Sequence, residues 1–584
     1  MRLLCLLVLS SAALFCGVAS AETRPNIVFI LADDLGYTDI EPFGGEVKTP
    51  ALTALAKSGV RFTNYHTAAN CAPSRAMLLT GVNNHKAGVP NIPEMIAPEQ
   101  RVYENYQGVL GDNVVTVATL LESAGYRTYM AGKWHLGAAP DKLPSRRGFQ
   151  RTVALMDSGA DNWEQRPYLP IYEEANWFAD GERFELPEDF YSSTFLVDKM
   201  IEFIDSGKEG ESPFFAYLPF QAVHMPVQAP QQFIDRHMGA YDEGWDVLRQ
   251  RRQEQAIALG IVPRSDRVRM GSTRDWDSLT DEQKRMESKR MAVYAAMIEA
   301  MDFNIGRLIA YLKAEGKLDN TIFIFTSDNG AEASGADDLN SLPFSLIAGL
   351  QGYNTDYETL GLKGSYSSIS PSFSSAAVSP LSYYKFYAGE GGMRVPLIIS
   401  GTPLSIEPRL TAAFSWATDI TPTILSMAGV PIPGDRYRGR PIDPPTGKNL
   451  LPLIKGETER VYGEGDSIGY ELTGHSALFQ GDYKLVRNQP PQGDGLWYLY
   501  DIVRDPGETA DLKAARPETF DLMLAAYNVF ARENGVAPLP PGYNPNRQVL
   551  LNAVSKRYGS NILVTVIALL VLLPFLFVML RRRF

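Results

Sequence analysis

After Asn26 the residues Ile27-Val28-Phe29-Ile30-Leu31 run without a polar interruption and end at Asp33-Asp34. A short, β-branched apolar run of this kind predicts a strand buried on both faces. Thr49 and Pro50 read as the cap and first residue of a helix through Lys57, closed by Gly59. A second helix is expected from about Val114 to Ala124, stopping at Gly125, with a strand from Tyr126 to Ala131. Pro213 to Phe220 reads as another buried strand. From about Asp281 to Glu315, Val293, Met297, Met301 and Leu308 recur at helical spacing and lead into the apolar run Thr321 to Thr326. Strand and helix alternate, so the pattern predicts an α/β domain around a large, mostly parallel sheet sandwiched by helices. Residues 331–384 are rich in Gly, Ser and Tyr with little periodicity and read as a long insertion bordering a site. From about Gly463 short strand-like pieces alternate with turn residues, predicting a small antiparallel domain with a helix.

The two ends of the chain carry a different pattern. Arg2 precedes an apolar run from Leu3 to Val18 and then Ala19-Ser20-Ala21, the form of a secretory signal peptide. Ile562 to Leu580 carries no charge and, as a helix, would be roughly 28 Å long, about the hydrocarbon thickness of a bilayer. Arg581, Arg582 and Arg583 follow and should remain cytoplasmic. The expected organisation is a signal peptide (1–21), a catalytic domain (22–452), a small C-terminal α+β domain (453–537), a Pro-rich linker (538–560), a transmembrane anchor (561–580) and a cytoplasmic tail (581–584). This makes the protein an exported one, periplasmic or at the cell surface and held to the membrane by its last helix. A net charge of −12 argues against nucleic acid as a partner.

Of three cysteines, Cys5 and Cys16 fall in the signal peptide, which leaves Cys71 alone and without a disulfide partner. Charged groups collect just beyond four expected strands: Asp33-Asp34, Lys133 with His135, His224, and Asp328-Asn329. In open α/β sheets ligands bind at that edge. Asp33, Asp34, Asp328 and Asn329 all offer oxygen, a donor set suited to Ca²⁺ more than to a thiophilic metal. Pro73 suits the first position of a helix ending at Gly81, which would set residue 71 beside a helix N-terminus, where an anion is favoured.

Cys71-Ala72-Pro73-Ser74-Arg75, followed by Thr80-Gly81, resembles the signature of the type I sulfatases of the alkaline phosphatase superfamily. The resemblance runs from Asn26 to about Asp511. It is closest to bacterial arylsulfatases, through Phe220-Gln221-Ala222-Val223-His224 and through Tyr384-Lys385 ahead of Glu390-Gly391-Gly392-Met393-Arg394-Val395-Pro396. The resemblance implies an alkaline phosphatase-like fold and hydrolysis of aryl sulfate-type esters. It implies that a maturing enzyme oxidises Cys71 to formylglycine (3-oxoalanine), and that one Ca²⁺ is held by Asp33, Asp34, Asp328, Asn329 and residue 71. By the same resemblance Arg75 and Lys133 favour ionisation of the hydrated aldehyde, and Asp328 accepts its proton. The attack would give a covalent sulfate ester. His224 and Lys385 bind sulfate and protonate the leaving group, and His135 withdraws the proton that expels sulfate. Lys363 is an alternative to Lys385 for the second lysine. His66 and His85 read as loop-shaping, His237 and His475 as surface residues, Arg394 as a buried ion-pair former and Trp134 as a packing residue. A phosphate or phosphonate ester hydrolase of the same superfamily and a catalytically silent membrane-anchored binding protein are the competing readings. Oligomeric state and the alcohol half of the substrate, whether a small molecule or a carbohydrate, are open at this level.

Overall fold

The computed structural model describes residues 24–208, 210, 212–264, 274–333, 348–349, 351–545, 547–553 and 555. The signal peptide and the membrane anchor expected from the sequence lie outside the described residues. Among the described residues no helix is long and apolar enough to cross a membrane.

Ten strands form the main sheet: β1 (Asn26–Ala32), β2 (Gly59–Phe62), β3 (Arg127–Lys133), β4 (Arg151–Leu155), β5 (Trp177–Ala179), β6 (Glu182–Arg183), β7 (Phe214–Pro219), β8 (Thr321–Ser327), β9 (Leu397–Ser400) and β10 (Arg409–Thr411). Their order is β10-β2-β9-β8-β1-β7-β3-β4-β5-β6. The centre is parallel, since β1 pairs with β7 and β8 and β3 pairs with β7 and β4 in the same sense. β9 runs against both β8 and β2. β1 shows why the run is apolar throughout. Val28, Ile30 and Ala32 enter one core, and Ile27, Phe29 and Leu31 enter the other. A strand alternates its side chains between faces, so burial on both sides leaves no position for a polar residue. At its start, Asn26 donates from Nδ2 to Thr321 Oγ1 at 3.4 Å and accepts from the Phe214 N–H at 3.2 Å.

Helices cover both faces. α1 (Pro50–Lys57) and α7 (Asp281–Ala314) lie on the first, together with α4 (Ser192–Ser206), α5 (Gln231–His237) and α6 (Trp245–Ala258). α2 (Cys71–Thr80) and α3 (Val117–Ser123) lie on the second. The long helix α7 starts where Thr280 and Gln283 form a reciprocal capping box. α3 begins three residues later than the pattern suggests, because the Thr116 hydroxyl caps the Thr119 N–H and holds Val114 and Val115 outside the helix. In the Ser-rich insertion, residues 371–377 form a short helix, α8 (Pro371–Ala377), and Ser365, Ser367, Ser368 and Ser370 are buried.

The C-terminal unit is a four-stranded antiparallel sheet, β11 (Ser467–Leu472), β12 (His475–Gln480), β13 (Tyr483–Arg487) and β14 (Trp497–Asp501), crossed by α9 (Pro517–Glu533). Leu478, Leu485 and Leu499 from the sheet pack on Phe520, Met523 and Tyr527 of the helix. A buried ion network ties this unit to the large domain. Lys484 on β13 reaches Glu390 and Glu508, each at 2.9 Å, and Glu390 also receives His66 and Arg394. Beyond α9 the Pro-rich segment packs back on the loop at 91–106. Tyr106 Oη accepts from the Ala537 N–H at 2.8 Å, and the Tyr543 hydroxyl donates to the Met95 carbonyl at 2.7 Å.

Candidate active site

The site forms where four strands end together. Asp33 and Asp34 follow β1, Lys133 closes β3, His224 lies five residues past β7, and Asp328 and Asn329 follow β8. The Asp33 N–H donates to the Ala222 carbonyl at 2.9 Å and the Val223 N–H donates to the Asp33 carbonyl at 2.7 Å, so the loops after β1 and β7 are stitched together. α2 delivers Cys71 and Arg75. The helix starts at Cys71 itself, with Asn70 as cap accepting the Cys71 N–H at 2.7 Å. Pro73 is therefore the third helical residue and not the first. It is tolerated because the first four helical N–H groups have no intrahelical acceptor anyway.

The charged groups interlock. Arg75 donates from Nε and Nη2 to Asp328 Oδ2 at 2.9 and 2.7 Å, and from Nη1 to the Lys133 carbonyl at 2.7 Å. Lys133 Nζ reaches both Asp33 oxygens, at 2.9 and 2.6 Å. Lys385 Nζ lies 2.9 Å from Asp34 Oδ2 and 2.6 Å from Glu332 Oε2, and His224 Nε2 lies 3.6 Å from the same Asp34 oxygen. The Cys71 thiol faces Asp34 Oδ1 at 3.8 Å. All of these residues are buried. His224 Nδ1 sits 2.6 Å from the Met225 carbonyl, which can only accept, so that nitrogen carries a hydrogen.

Backbone strain concentrates here. Asp34, His135, Tyr383 and Phe386 all adopt left-handed φ angles, of 65°, 57°, 64° and 77°. Non-glycine residues take this conformation at a cost that the surroundings must offset, and such positions cluster at functional sites. The turn at His135 carries the chain off β3, and those at Tyr383 and Phe386 bracket Lys385. Gly330, next to Asn329, is required by close approach, because a Cβ there would lie 1.8 Å from the Gly391 carbonyl oxygen.

Burial pushes the Cys71 thiol well above its ordinary pKa despite Lys133 and Lys385, so an unmodified cysteine here is a poor nucleophile at neutral pH. Burial also raises the Asp33 carboxyl, with Asp328 and Asp34 adding repulsion that Lys133 and Arg75 only partly offset. For Asp328 burial again opposes the charge, but Arg75, Lys133 and Lys385 outweigh it and hold the carboxyl below its usual value. Burial works against a charge on Lys385, yet Asp34 and Glu332 keep it protonated.

Asp33, Asp34, Cys71 and Asp328 each place one ligating atom within 4.8 Å of the others. Asn329 donates from Nδ2 to Asp34 Oδ1 at 2.6 Å, while its buried Oδ1 has no hydrogen-bond partner among the described residues. A buried carbonyl oxygen without a donor, beside three carboxylates, fits an oxygen-seeking divalent cation.

The structure thus brings Asp33, Asp34, Cys71, Arg75, Lys133, His224, Asp328, Asn329 and Lys385 into one cluster. His135 stands at its margin, with Nε2 3.9 Å from Glu94 Oε2. Lys363 is apart, on the surface 3.6 Å from Glu164. Glu332 and Glu94 were not singled out from the sequence. Glu332 lies at the start of the aperiodic insertion and Glu94 sits among prolines, so neither carries a spacing signal. Tyr168 packs edge-on to His224 at 5.3 Å. His475, read as a surface residue, is instead buried against Tyr387 at 4.9 Å, because it opens β12 at the end that packs on the large domain.

A family model described as Sulfatase matches residues 25–430. An uncharacterised sulfatase of Schizosaccharomyces pombe is 38% identical over 539 residues, covering 89% of this chain and 96% of that protein. The arylsulfatase of Klebsiella aerogenes is 36% identical over 436 residues, covering 74% of this chain and 92% of that protein. Among solved structures, a sulfatase from Pseudoalteromonas sp. shares the fold with a TM-score of 0.56 at 21% identity, over 88% of this chain and 92% of that one.

Proposed function

The chain belongs to the sulfatase family and is a sulfuric ester hydrolase, and from that premise we propose that it cleaves aryl-type sulfate esters with Cys71 matured to formylglycine and one Ca²⁺ bound. The observation that carries the reading is the convergence of Cys71 with Asp33, Asp34 and Asp328 under Arg75, Lys133, Lys385 and His224. The thiol stands where the hydrated aldehyde would be. When present, that group supplies two hydroxyls on one carbon, one to attack sulfur and one whose proton can be withdrawn afterwards. Asp33, Asp34, Asp328 and Asn329 would hold the calcium, whose charge offsets the carboxylates and polarises the sulfate oxygens.

The protein groups then divide the work. Asp328, pinned by Arg75, accepts a proton from the attacking hydroxyl. Lys133 and Lys385 present ammonium hydrogens to the sulfate oxygens. Lys385 and His224 converge on one oxygen of Asp34, and this pair gives the proton to the departing oxygen. His135 takes the proton whose removal releases sulfate. Tyr168 and Tyr172 supply an aromatic wall beside His224 and Glu94.

The test combines two measurements. The tryptic peptide Phe62–Arg75, from protein made in a host with the maturing enzyme, should show the mass of the aldehyde. Rates on an aryl sulfate and its matched aryl phosphate should favour the sulfate. A rate ratio at or below unity would transfer the assignment to phosphate ester hydrolysis, and an unmodified thiol in a fully active preparation would remove the formylglycine step.

A further inference from the structure

Glu94 and His135 face each other with their hydrogen-bonding capacity unspent. His135 is 3% exposed and Glu94 5%, yet among the described residues both ring nitrogens of His135 and Oε2 of Glu94 have no hydrogen-bond partner. The nearest approach, His135 Nε2 to Glu94 Oε2, is 3.9 Å. A buried imidazole and a buried carboxylate left this way cost free energy unless they close on each other at some stage. The other Glu94 oxygen accepts from the Tyr172 hydroxyl, which fixes the carboxylate's orientation. Burial opposes the charge on Glu94, but His135 and Tyr172 hold its carboxyl down at about 2. Burial, Lys133 and Arg75 lower His135 to about 4, with Glu94 pulling the other way.

The backbone of Glu94 is held from outside the catalytic domain. Asn552 donates from Nδ2 to the Glu94 carbonyl at 2.7 Å and to the Ile96 carbonyl at 3.2 Å, and the Tyr543 hydroxyl donates to the Met95 carbonyl at 2.7 Å. Tyr106, Ile96 and Ala537 form a small core beneath. The contacts span more than 400 residues of sequence and bear on one loop.

We propose that Glu94 is a positioning residue for His135, and that Ala537, Tyr543 and Asn552 act as the strap that keeps Glu94 in place. The proposal rests on the reading of His135 given above. With Glu94 facing Nε2, the hydrogen sits on Nε2 and Nδ1 keeps its lone pair. The proton from the second hydroxyl at residue 71 goes to that lone pair, the C=O bond forms, and sulfate leaves with the electron pair of its bond to carbon. The carboxylate stabilises the imidazolium so produced, as outer partners of a catalytic histidine do.

The test uses the full chain. Glu94→Gln keeps the shape and a partner for Tyr172 while removing the charge. kcat on an aryl sulfate should fall about 10–100-fold, and KM should fall with it, leaving kcat/KM within about twofold of wild type. Because only the release of sulfate is slowed, phenol should appear in a burst before the slow steady state. Asn552→Ala and Tyr543→Phe should lower kcat less and speed amide hydrogen exchange across residues 91–106, and they keep the proposal testable if Glu94→Gln folds poorly. Wild-type kcat in Glu94→Gln, a change in KM alone, or unchanged exchange at 91–106 in both strap variants would overturn it. A wild-type protein with no aldehyde and no sulfate release defeats the functional reading itself. An active wild type with an equally active Glu94→Gln defeats only this inference.

Discussion

Lys484→Met removes the one cation among the described residues that pairs with both Glu390 and Glu508. The ammonium is wholly buried and lies 2.9 Å from an oxygen of each carboxylate. At an effective dielectric of about 20, each contact carries about 6 kcal/mol of gross Coulomb attraction. Most of that is offset by stripping water from the ammonium. The variant avoids that cost but leaves two carboxylates facing each other. Glu390 keeps His66 and Arg394. Glu508 keeps no other ion pair among the described residues, and burial and Glu390 already raise its pKa above the ordinary value. Removing one member of a buried pair costs about 3–5 kcal/mol, and that range applies here at neutral pH. The pH dependence follows from Glu508. Its folded pKa rises further in the variant, so the folded chain holds a proton that the unfolded chain has shed. The part of the deficit that comes from Glu508 is therefore absent below the unfolded glutamate pKa of about 4.3 and grows as the pH climbs to the folded value. Urea unfolding followed by tryptophan fluorescence at pH 4.5 and pH 7.5 measures it, using the first transition if more than one appears. The double variant Lys484→Met, Glu508→Gln should recover most of the loss at pH 7.5. An unfolding free energy within about 0.5 kcal/mol of wild type at pH 7.5, or a deficit independent of pH, would refute the reasoning.

Cys71→Ser should fold normally, since serine is smaller and keeps the helix start. With residue 71 confirmed by peptide mass as an unoxidised serine, it should release sulfate at least about 10³-fold more slowly than the matured wild type, because a plain serine has no second hydroxyl on the same carbon to expel sulfate. Chelation should abolish turnover and lower the melting temperature, and restoring Ca²⁺ at about 100 times its Kd should return about 2.7 kcal/mol of stability. Zn²⁺ should restore less. Asp302 caps α1 from α7, accepting the Ala51 and Leu52 N–H groups at 3.0 and 2.8 Å. Burial raises its carboxyl to about 6 against those two bonds. Its folded pKa is above its unfolded one, so wild-type stability relative to Asp302→Asn should decline by about 3 kcal/mol as pH rises from about 4 through 6. A flat difference across that window, measured by urea midpoints, would contradict it.

The buried strands and the groups at their ends were legible because burial on two faces writes itself into the chain as an unbroken apolar run. That run stops where the backbone reaches the site, which is how Asp33, Lys133, His224 and Asp328 could be ranked together. Helix starts were less legible. Pro73 suggested a start two residues late, because the cap came from Asn70, a residue with no periodic signature. Pairings across great sequence distance were invisible. Glu390 and Lys484 are 94 residues apart, and nothing in either neighbourhood announces the other. Glu94 sits in a loop whose shape comes from Pro90, Pro93 and the returning C-terminal segment. Its partner Tyr172 is 78 residues further along the chain, with no spacing signal to link the two. His475 looked solvent-facing because it follows the turn residues Thr473-Gly474, and only docking on Tyr387 hides it.

β1 also poses a problem of alignment. Ile27 through Ala32 are apolar on both faces, so sliding the strand by one residue would still bury hydrocarbon everywhere. Greasiness alone cannot tell the chain where to stop. Asn26 can, since it grips Thr321 on one neighbour and the Phe214 amide on the other. Counting from that grip, Asp33 and Asp34 arrive at the far end of the sheet and nowhere else. A residue some seven positions away, at the opposite edge, thus sets the reading frame in which the acidic pair meets its partners.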